Sequence, residues 1–386
     1  MTRITEDWLT NPATQAVCAA LQAGGAQALF VGGCVRNALM GVPVSDIDIS
    51  TDAVPERVMT LAKAAGIKAV PTGIDHGTVT LVQDGIPHEV TTFRKDVETD
   101  GRRAVVAYST CVNEDAARRD FTMNALYARP DGTLLDPLGG MADLQARRVR
   151  FIGDAGDRIR EDYLRSLRYF RFHAWYGCDV QGFDPEALAA IADNLDGLST
   201  LSRERVGGEL LKLLGAPDPA PAVAAMRSTG ALGLVLPGAD DRALAPLVHL
   251  EGQAGVAPDG LRRLAALGGV DVAATLRLSK AQGRALDRMR EAAASVMAPA
   301  ELGYRLKADA ARDALLLRCA WSEQPWPEGA GAEIDRGAAA QFPVTARDLM
   351  PALQGPALGA RLAEIETAWI ASGFARDKAS LLSGDS

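Results

Sequence analysis

The chain has 386 residues, 48% hydrophobic and 23% charged, with a formal net charge of −8. That is a globular composition, long enough for two or more domains. Its acidity argues against non-specific nucleic-acid binding, which needs a basic footprint, but leaves room for a local basic surface. The cysteines, Cys18, Cys34, Cys111, Cys178 and Cys319, are scattered without a C-x-x-C pair. They point to a reducing cytoplasm and no zinc cluster. The N-terminus does not read as a signal peptide, and no apolar run reaches the roughly 18 residues of a membrane span.

In chain order, residues 5 to 24 read as a helix with a start signal at Thr10-Asn11-Pro12 and a stop at Gly24-Gly25. Ala28-Leu29-Phe30-Val31 is a short apolar run suited to a buried strand. Gly32-Gly33 breaks it, and Val35 to Met40 continues with helical character until Gly41. A strand, a glycine turn and a helix start expose backbone N–H groups where a phosphate can dock. The two glycines let the backbone approach that phosphate without a Cβ in the way, and Arg36 adds a charged donor. Next, Ser45-Asp46-Ile47-Asp48-Ile49-Ser50 alternates, so Asp46 and Asp48 share one face of a strand. Two carboxylates beside a phosphate site suit Mg²⁺, which takes one or two carboxylates together with substrate phosphates.

Pro55 to Ala65 reads as a helix. Short strands are expected at Lys68–Val70, Thr78–Val82 and Pro87–Phe93, the last two joined by a hairpin turn at Gln83-Asp84-Gly85. Glu89 is either a third carboxylate beside Asp46 and Asp48 or a half-exposed strand residue. From Thr92 through Arg103 a polar, glycine-containing stretch reads as a mobile loop. Glu114 to Leu126 reads as a helix crowded with charge around Phe121. Asp131-Gly132 turns a hairpin, and Asp136 to Gly140 ends a mixed α/β region.

From Met141 onward helices follow one another. Glu161 to Phe172 is amphipathic, and Asp162 and Arg165 share a face at i, i+3. The pair serves either as a surface ion pair or as a base reader. A carboxylate accepts from the exocyclic amine of cytosine or adenine, and an arginine donates to the acceptors beside it. Guanine and uracil present a carbonyl where the amine is wanted, the edge-readout logic known from duplexes. Arg158, Arg160, Arg168 and Arg171 surround this point and fit triphosphate, RNA backbone or solvent. Residues 209 to 386 read as helical without internal repeats, with a last segment running from Phe342 through Ile370.

Four motifs together resemble one family. Gly32-Gly33-Cys34-Val35-Arg36 followed by Asp46-Ile47-Asp48-Ile49-Ser50-Thr51 resembles the signature of the nucleotidyltransferase superfamily that includes DNA polymerase beta. Its form, GG-x-V-R then D-x-D-x-x-T, is similar to the class II tRNA nucleotidyltransferase and poly(A) polymerase branch. Arg118 to Ala125 resembles the branch's R-R-D-F-T-x-N-A motif. Glu161 to Phe172 resembles its nucleotide-selecting helix, and Leu201-Ser202-Arg203-Glu204-Arg205 its L-S-x-E-R motif, a brace for that helix. One departure is Asn37, where the family has Asp.

The resemblance implies an α+β protein. A polymerase-beta-like head with a mixed sheet and helices (residues 1–140) would precede an all-helical neck (141–208) that selects the nucleotide. A helical body and tail (209–386) would bind tRNA. It implies template-independent addition of CCA to the tRNA 3′ end from CTP and ATP, with Mg²⁺ held by Asp46 and Asp48 and with Glu89 beside them. Gly32, Gly33, Arg36, Arg119, Asp120, Asn124, Asp162, Arg165, Arg168 and Arg171 would contact the nucleotide. Asp120 paired with an arginine would orient donors toward the ribose 2′-OH. The loop through Thr99-Asp100-Gly101-Arg102-Arg103 resembles the element needed to switch from adding C to adding A. The same motifs admit a bacterial poly(A) polymerase or an enzyme adding only CC or only A. A catalytically dead RNA-binding module, or a small-molecule nucleotidyltransferase, stands further off, because the two aspartates are intact and the helical half is long.

Overall fold

The computed structural model describes residues 3–96, 106–178 and 180–383. These divide into two compact units, one comprising residues 1–202 with 225–234, the other 203–224 with 235–386.

The first unit is built on a seven-stranded sheet. Its strands are β1 (Leu29–Val31), β2 (Ile47–Thr51), β3 (Lys68–Gly73), β4 (Thr78–Gln83), β5 (Ile86–Thr92), β8 (Tyr127–Ala128) and β9 (Leu134–Leu135), in the order β3-β4-β5-β2-β1-β8-β9. A separate antiparallel pair joins β6 (Arg94–Asp96), inside the expected polar loop, to β7 (Val106–Tyr108), beyond its end; the loop's Thr99–Arg103 part lies outside the described residues. The sheet is mixed because β2 and β5 run parallel while every other neighbouring pair is antiparallel. The β4–β5 turn is the two-residue Asp84-Gly85, with φ of +50° and +80°. That is the geometry for which Asp-Gly is favoured in hairpins.

The core follows from the apolar strand positions. Phe30, Ile49, Val79 and Leu81 are wholly buried, and Val90 nearly so. Helices Pro12–Ala23 and Pro55–Ala64 cover one side. The first expected helix is divided in two, Asp7–Thr10 and Pro12–Ala23, because Pro12 can begin a helix but cannot continue one. Asn11 caps the second piece by accepting from the Ala13 N–H.

Two further expectations are corrected. Glu114 to Leu126 is not one helix: the helix Val112–Ala117 stops, and a 3₁₀ turn, Thr122–Asn124, follows. Phe121 between them is fully buried against Phe151 and Phe172, with ring centroids at 5.0 Å in both cases. Burying that ring outweighs the local helical preference. Likewise Glu161 to Phe172 is two helices, Ala155–Glu161 and Leu164–Tyr176, with Asp162 extended between them (φ −153°, ψ 103°).

The second unit is helical throughout its described residues, from Arg203–Leu214 to Lys378–Ser383. Its interior holds an ion network: Glu251 accepts from Arg262 and Arg263, and Arg263 donates to the carbonyls of Leu214 and Ala216. The expected last segment is interrupted. Helix Ala346–Leu349 ends before Pro351, which disfavours helical backbone at Met350, and Gly355–Ala371 begins afresh.

Candidate active site

Gly32 ends β1 with φ +71° and ψ −121°, a conformation closed to residues with a side chain, and caps the helix Gly33–Met40. A Cβ on Gly32 would stand 3.7 Å from Nη1 of Arg119. The turn therefore faces a guanidinium from the R-R-D-F segment. Arg119 is itself held by Asp115 (2.9 Å), Ser50 Oγ (3.2 Å) and the Tyr127 hydroxyl (3.1 Å). Burial works against its charge, but Tyr127 and Asp115 hold it firmly protonated.

Asp48 lies on β2 directly in register with Glu89 on the parallel strand β5. Paired residues of adjacent strands point to the same face, so the two carboxylates stand side by side. Asp46 precedes β2 rather than lying on it; it is exposed and accepts from Ser45 Oγ at 2.9 Å. Burial, then Glu89, pushes the Asp48 carboxyl up to about 6, with Asp46 adding and Arg119 and Arg36 opposing. Among the described residues no group of three or more His, Cys, Asp or Glu side chains closes on a point. The donor set nonetheless fits a hard divalent cation that needs one or two carboxylates and takes its other ligands from water and phosphate. The crowding that raises Asp48 is what such a cation would relieve.

Arg36 differs from a free phosphate donor. It is only 6% exposed. Its Nη1 donates to Asn124 Oδ1 (2.6 Å), its Nη2 to the Tyr176 hydroxyl (2.8 Å), and Nε and Nη2 to Asn37 Oδ1 (3.2 and 2.9 Å). Asn37 thus supplies the acceptor that the family's Asp would, without the charge, and its amide donates to the Pro43 carbonyl. Asn124 in turn donates to Asp120, whose other oxygen takes Nε (2.8 Å) and Nη2 of Arg168. Burial would raise the Asp120 carboxyl, but Arg168 holds it below its usual range. Arg171 stacks over Phe172 with 4.5 Å to the ring centroid.

The structure links Arg36, Asn124, Asp120 and Arg168 in one hydrogen-bonded chain; Gly32 and Gly33 begin the helix that carries Arg36, and Arg119, bonded to a separate set of partners, faces Gly32. Asp48 and Glu89 stand together on the neighbouring strands. Asp162 and Arg165 do not share a helical face. Asp162 lies in the break and accepts from the Leu164 N–H at 3.1 Å. Arg165 pairs with Glu161, and donates to the carbonyls of Arg158 (3.0 Å) and Arg118 (3.2 Å). Asp162 lies just before and Arg165 in the first turn of the helix Leu164–Tyr176, where Arg165 meets the Arg118 carbonyl of the R-R-D-F segment. Glu204 of the L-S-x-E-R motif pairs with Arg277 within the second unit.

Sequence reading missed Asp115, Tyr127 and Tyr176. Asp115 is wholly buried and bonds Arg118, Arg119 and Tyr127; its i, i+3 and i, i+4 spacing to the two arginines was the available signal. Tyr176 had none, because its partner lies 140 positions away in the sequence.

Residues 28–150 match the poly A polymerase head domain, and residues 182–242 match a probable RNA- and SrmB-binding site of polymerase A. The human mitochondrial CCA tRNA nucleotidyltransferase 1 is 45% identical over 186 residues, covering 48% of this chain and 43% of that protein. A CCA-adding enzyme of Geobacillus thermodenitrificans is 40% identical over 216 residues, 55% of this chain and 52% of that protein. The matched regions thus span about half the length of these curated relatives. Among solved structures, the Bacillus stearothermophilus CCA-adding enzyme in complex with CTP superposes with a TM-score of 0.73 at 27% identity, covering 95% of this chain and 94% of that one. A Thermotoga maritima CCA-adding enzyme complexed with tRNA shares the fold, with a TM-score of 0.72 at 17% identity over 99% and 95% of the two chains. Over residues 28–150 and 182–242 the chain is thus similar to the poly(A) polymerase head and RNA-binding regions of the tRNA nucleotidyltransferase/poly(A) polymerase family.

Proposed function

We propose that this protein adds CCA to the 3′ end of tRNA without a nucleic-acid template, using CTP and ATP. The observation that carries the proposal is the in-register pair Asp48–Glu89 beside a positive-φ glycine turn that faces Arg119. It supplies cation ligands and phosphate donors in one place, and the curated relatives that match about half of the chain are named CCA tRNA nucleotidyltransferase and CCA-adding enzyme.

In this reading the terminal ribose 3′-OH attacks the α-phosphate of the incoming nucleotide and pyrophosphate leaves. The family uses divalent metal ions; we assign Mg²⁺ to Asp46 and Asp48, with Glu89 adjacent, where it would acidify the attacking hydroxyl and neutralise charge on the leaving group. The N–H groups behind Gly32 and Gly33, with Arg119, receive the triphosphate. Asp120 and Asn124 orient toward the ribose, held by Arg168 and Arg36. Asp162 and Arg165, with Arg171 nearby on the same helix, read the base edge and admit cytosine and adenine. Residues 1–140 serve as head, 141–208 as the selecting neck and 209–386 as the tRNA-binding body and tail. No helix among the described residues is long and apolar enough to cross a membrane, and five free cysteines suit a reducing, cytoplasmic setting.

The test is incorporation into a tRNA lacking its CCA end, with Mg²⁺ and each nucleotide singly or CTP with ATP. Addition of C, C and A, stopping there and lost in Asp46→Ala and Asp48→Asn, is the expected result. A long A tract from ATP alone would replace the proposal with poly(A) polymerase activity, which the names of the matching domains favour. Addition of CC alone or A alone would narrow it to a partial enzyme.

A further inference from the structure

Besides the Arg165 contact with the Arg118 carbonyl at its start, two side-chain tethers hold the helix Leu164–Tyr176 to the segments around the glycine turn. The first is the ion pair between Asp120 and Arg168. The second lies about two turns further along the same helix. There the Tyr176 hydroxyl accepts from Arg36 Nη2 at 2.8 Å, and the Tyr176 ring lies under the same guanidinium, 4.0 Å from centroid to Cζ. Tyr176 is 9% exposed and Arg36 6%, so both contacts are made away from water, where they are strongest. Arg36 holds Asn124, Asn124 holds Asp120, and Asp120 holds Arg168, which closes a ring through the helix itself.

We propose that Tyr176 is a positioning residue for nucleotide selection: its contact with Arg36 sets the tilt of the helix Leu164–Tyr176, and so where Asp162 and Arg165 stand over a base bound at the glycine turn. The inference rests on the proposed reading of that site. Arg165 and Arg168 hold the helix within one turn of each other, a short base that resists tilting poorly, and the Tyr176 contact about two turns further on lengthens that base. With the Tyr176 tether gone, a tilt about Arg168 is opposed only by the Arg165 contact and by the packing of Phe172 on Phe121. At a rise of 1.5 Å per residue, a swing of about 10° moves the Asp162 end by about 1.5 Å. That is enough to take a base-edge hydrogen bond out of range, and misplacement on this scale is costly to a reaction. Among the described residues every direct side-chain acceptor on Arg36 is neutral (Asn37, Asn124, Tyr176), so none of them is a carboxylate that substitutes for the lost contact.

The experiment compares wild type with Tyr176→Phe, which keeps the ring under Arg36, and Tyr176→Leu, which keeps neither contact. On a tRNA lacking its CCA end, kcat/KM is measured for CTP against UTP, and on one ending in CC for ATP against GTP, with thermal melts alongside. The expected result is a loss of selectivity of about tenfold in Tyr176→Leu and about two- to threefold in Tyr176→Phe. A purely stabilising tyrosine would lower the melting temperature and leave the selectivity ratios unmoved, and ratios within twofold of wild type in a folded Tyr176→Leu overturn the proposal. Should that variant fail to fold, Tyr176→Phe decides: a two- to threefold fall supports it and an unchanged ratio refutes it. A wild-type chain with no preference among the four nucleotides refutes the proposed function and this inference with it. Preference present in wild type and retained in the variants refutes this inference alone.

Discussion

Asp115 is wholly buried, yet its carboxylate accepts from Arg118, Arg119 and the Tyr127 hydroxyl. Burial alone would raise its pKa; Arg119 and Arg118 reverse that and hold it below the usual carboxylate range. Its contribution to stability is therefore complete above the unfolded pKa, near 3.9, and lost as pH falls through the lower folded value. Asp115→Asn should cost about 3–5 kcal/mol, since it strands two arginines that are each only 19% exposed. It should also flatten the acid limb of a melting-temperature profile between pH 5 and 2. An acid limb identical to wild type would show that other carboxylates set it. The two glycines of the turn separate two roles in the same way. Gly33 has no positive φ, and a Cβ there would meet nothing closer than Arg36 Nη2 at 3.9 Å. Alanine at that helical position should leave the melting temperature equal or higher, by about 0.5–1 kcal/mol of helix propensity. It should nevertheless weaken CTP binding about tenfold or more if a phosphate approaches the backbone there. Gly32→Ala, strained by its φ and ψ, should lose about 1–3 kcal/mol of stability as well. Equilibrium CTP binding and thermal melts on the two variants test this; CTP affinity unchanged in Gly33→Ala would mean that the phosphate sits elsewhere.

Elements were legible where local chemistry alone decides them. Asp84-Gly85 demanded a hairpin and made one, and Leu29–Val31 followed by Gly32-Gly33 demanded a strand, a turn and a helix. Legibility failed where a partner distant in sequence overrides local preference. Helical spacing at Glu161 to Phe172 looked continuous, but the backbone opens at Asp162 to cap Leu164, and that places Arg165 on Glu161 rather than on Asp162. The R-R-D-F segment carried helix formers on both sides of Phe121, and the aromatic cluster, which draws Phe151 and Phe172 from later elements, decided otherwise. Helix crossings were equally invisible. Helices Pro299–Leu306 and Ala330–Ala339 meet backbone to backbone: a Cβ on Gly303 would lie 2.0 Å from the Ile334 carbonyl oxygen, and one on Gly337 1.8 Å from that of Ala300. No flexible side chain can yield there, so Gly337→Ala should destabilise the second unit by about 1–3 kcal/mol or more. A melt that resolves the two units should show the loss in one transition. An unchanged transition would mean that the two helices part at little expense.

At the scale of the whole chain, a net charge of −8 has to be reconciled with the polyanionic partner proposed for it. Arg119, Arg158, Arg165, Arg168 and Arg171 all belong to the first unit and outnumber Asp115, Asp120 and Glu161, the three carboxylates that pair with four of them, so a local positive excess does not need a basic protein. The division into units also departs from chain order. The first unit reaches Ser202, yields residues 203–224 to the second, and then takes back 225–234. Composition gives no hint of this, because the returning stretch is as rich in Ala and Leu as its surroundings. Packing explains it: Met226, Ala231 and Leu232 are at most 2% exposed, and a Cβ on Gly230 would lie 3.1 Å from the Leu195 side chain. A chain cut after Ser202 therefore loses part of its own core. Burying a Met or Leu side chain contributes about 1.5–3 kcal/mol each, so a fragment of residues 1–202 should melt well below one of residues 1–236, even though the longer fragment carries residues 203–224 without their neighbours. Calorimetry on the two fragments decides between this and a first unit that is complete at Ser202. Equal melting temperatures would place 225–234 outside the cooperative unit, and a higher one for 1–236 would make this return of the chain part of what holds the first unit together.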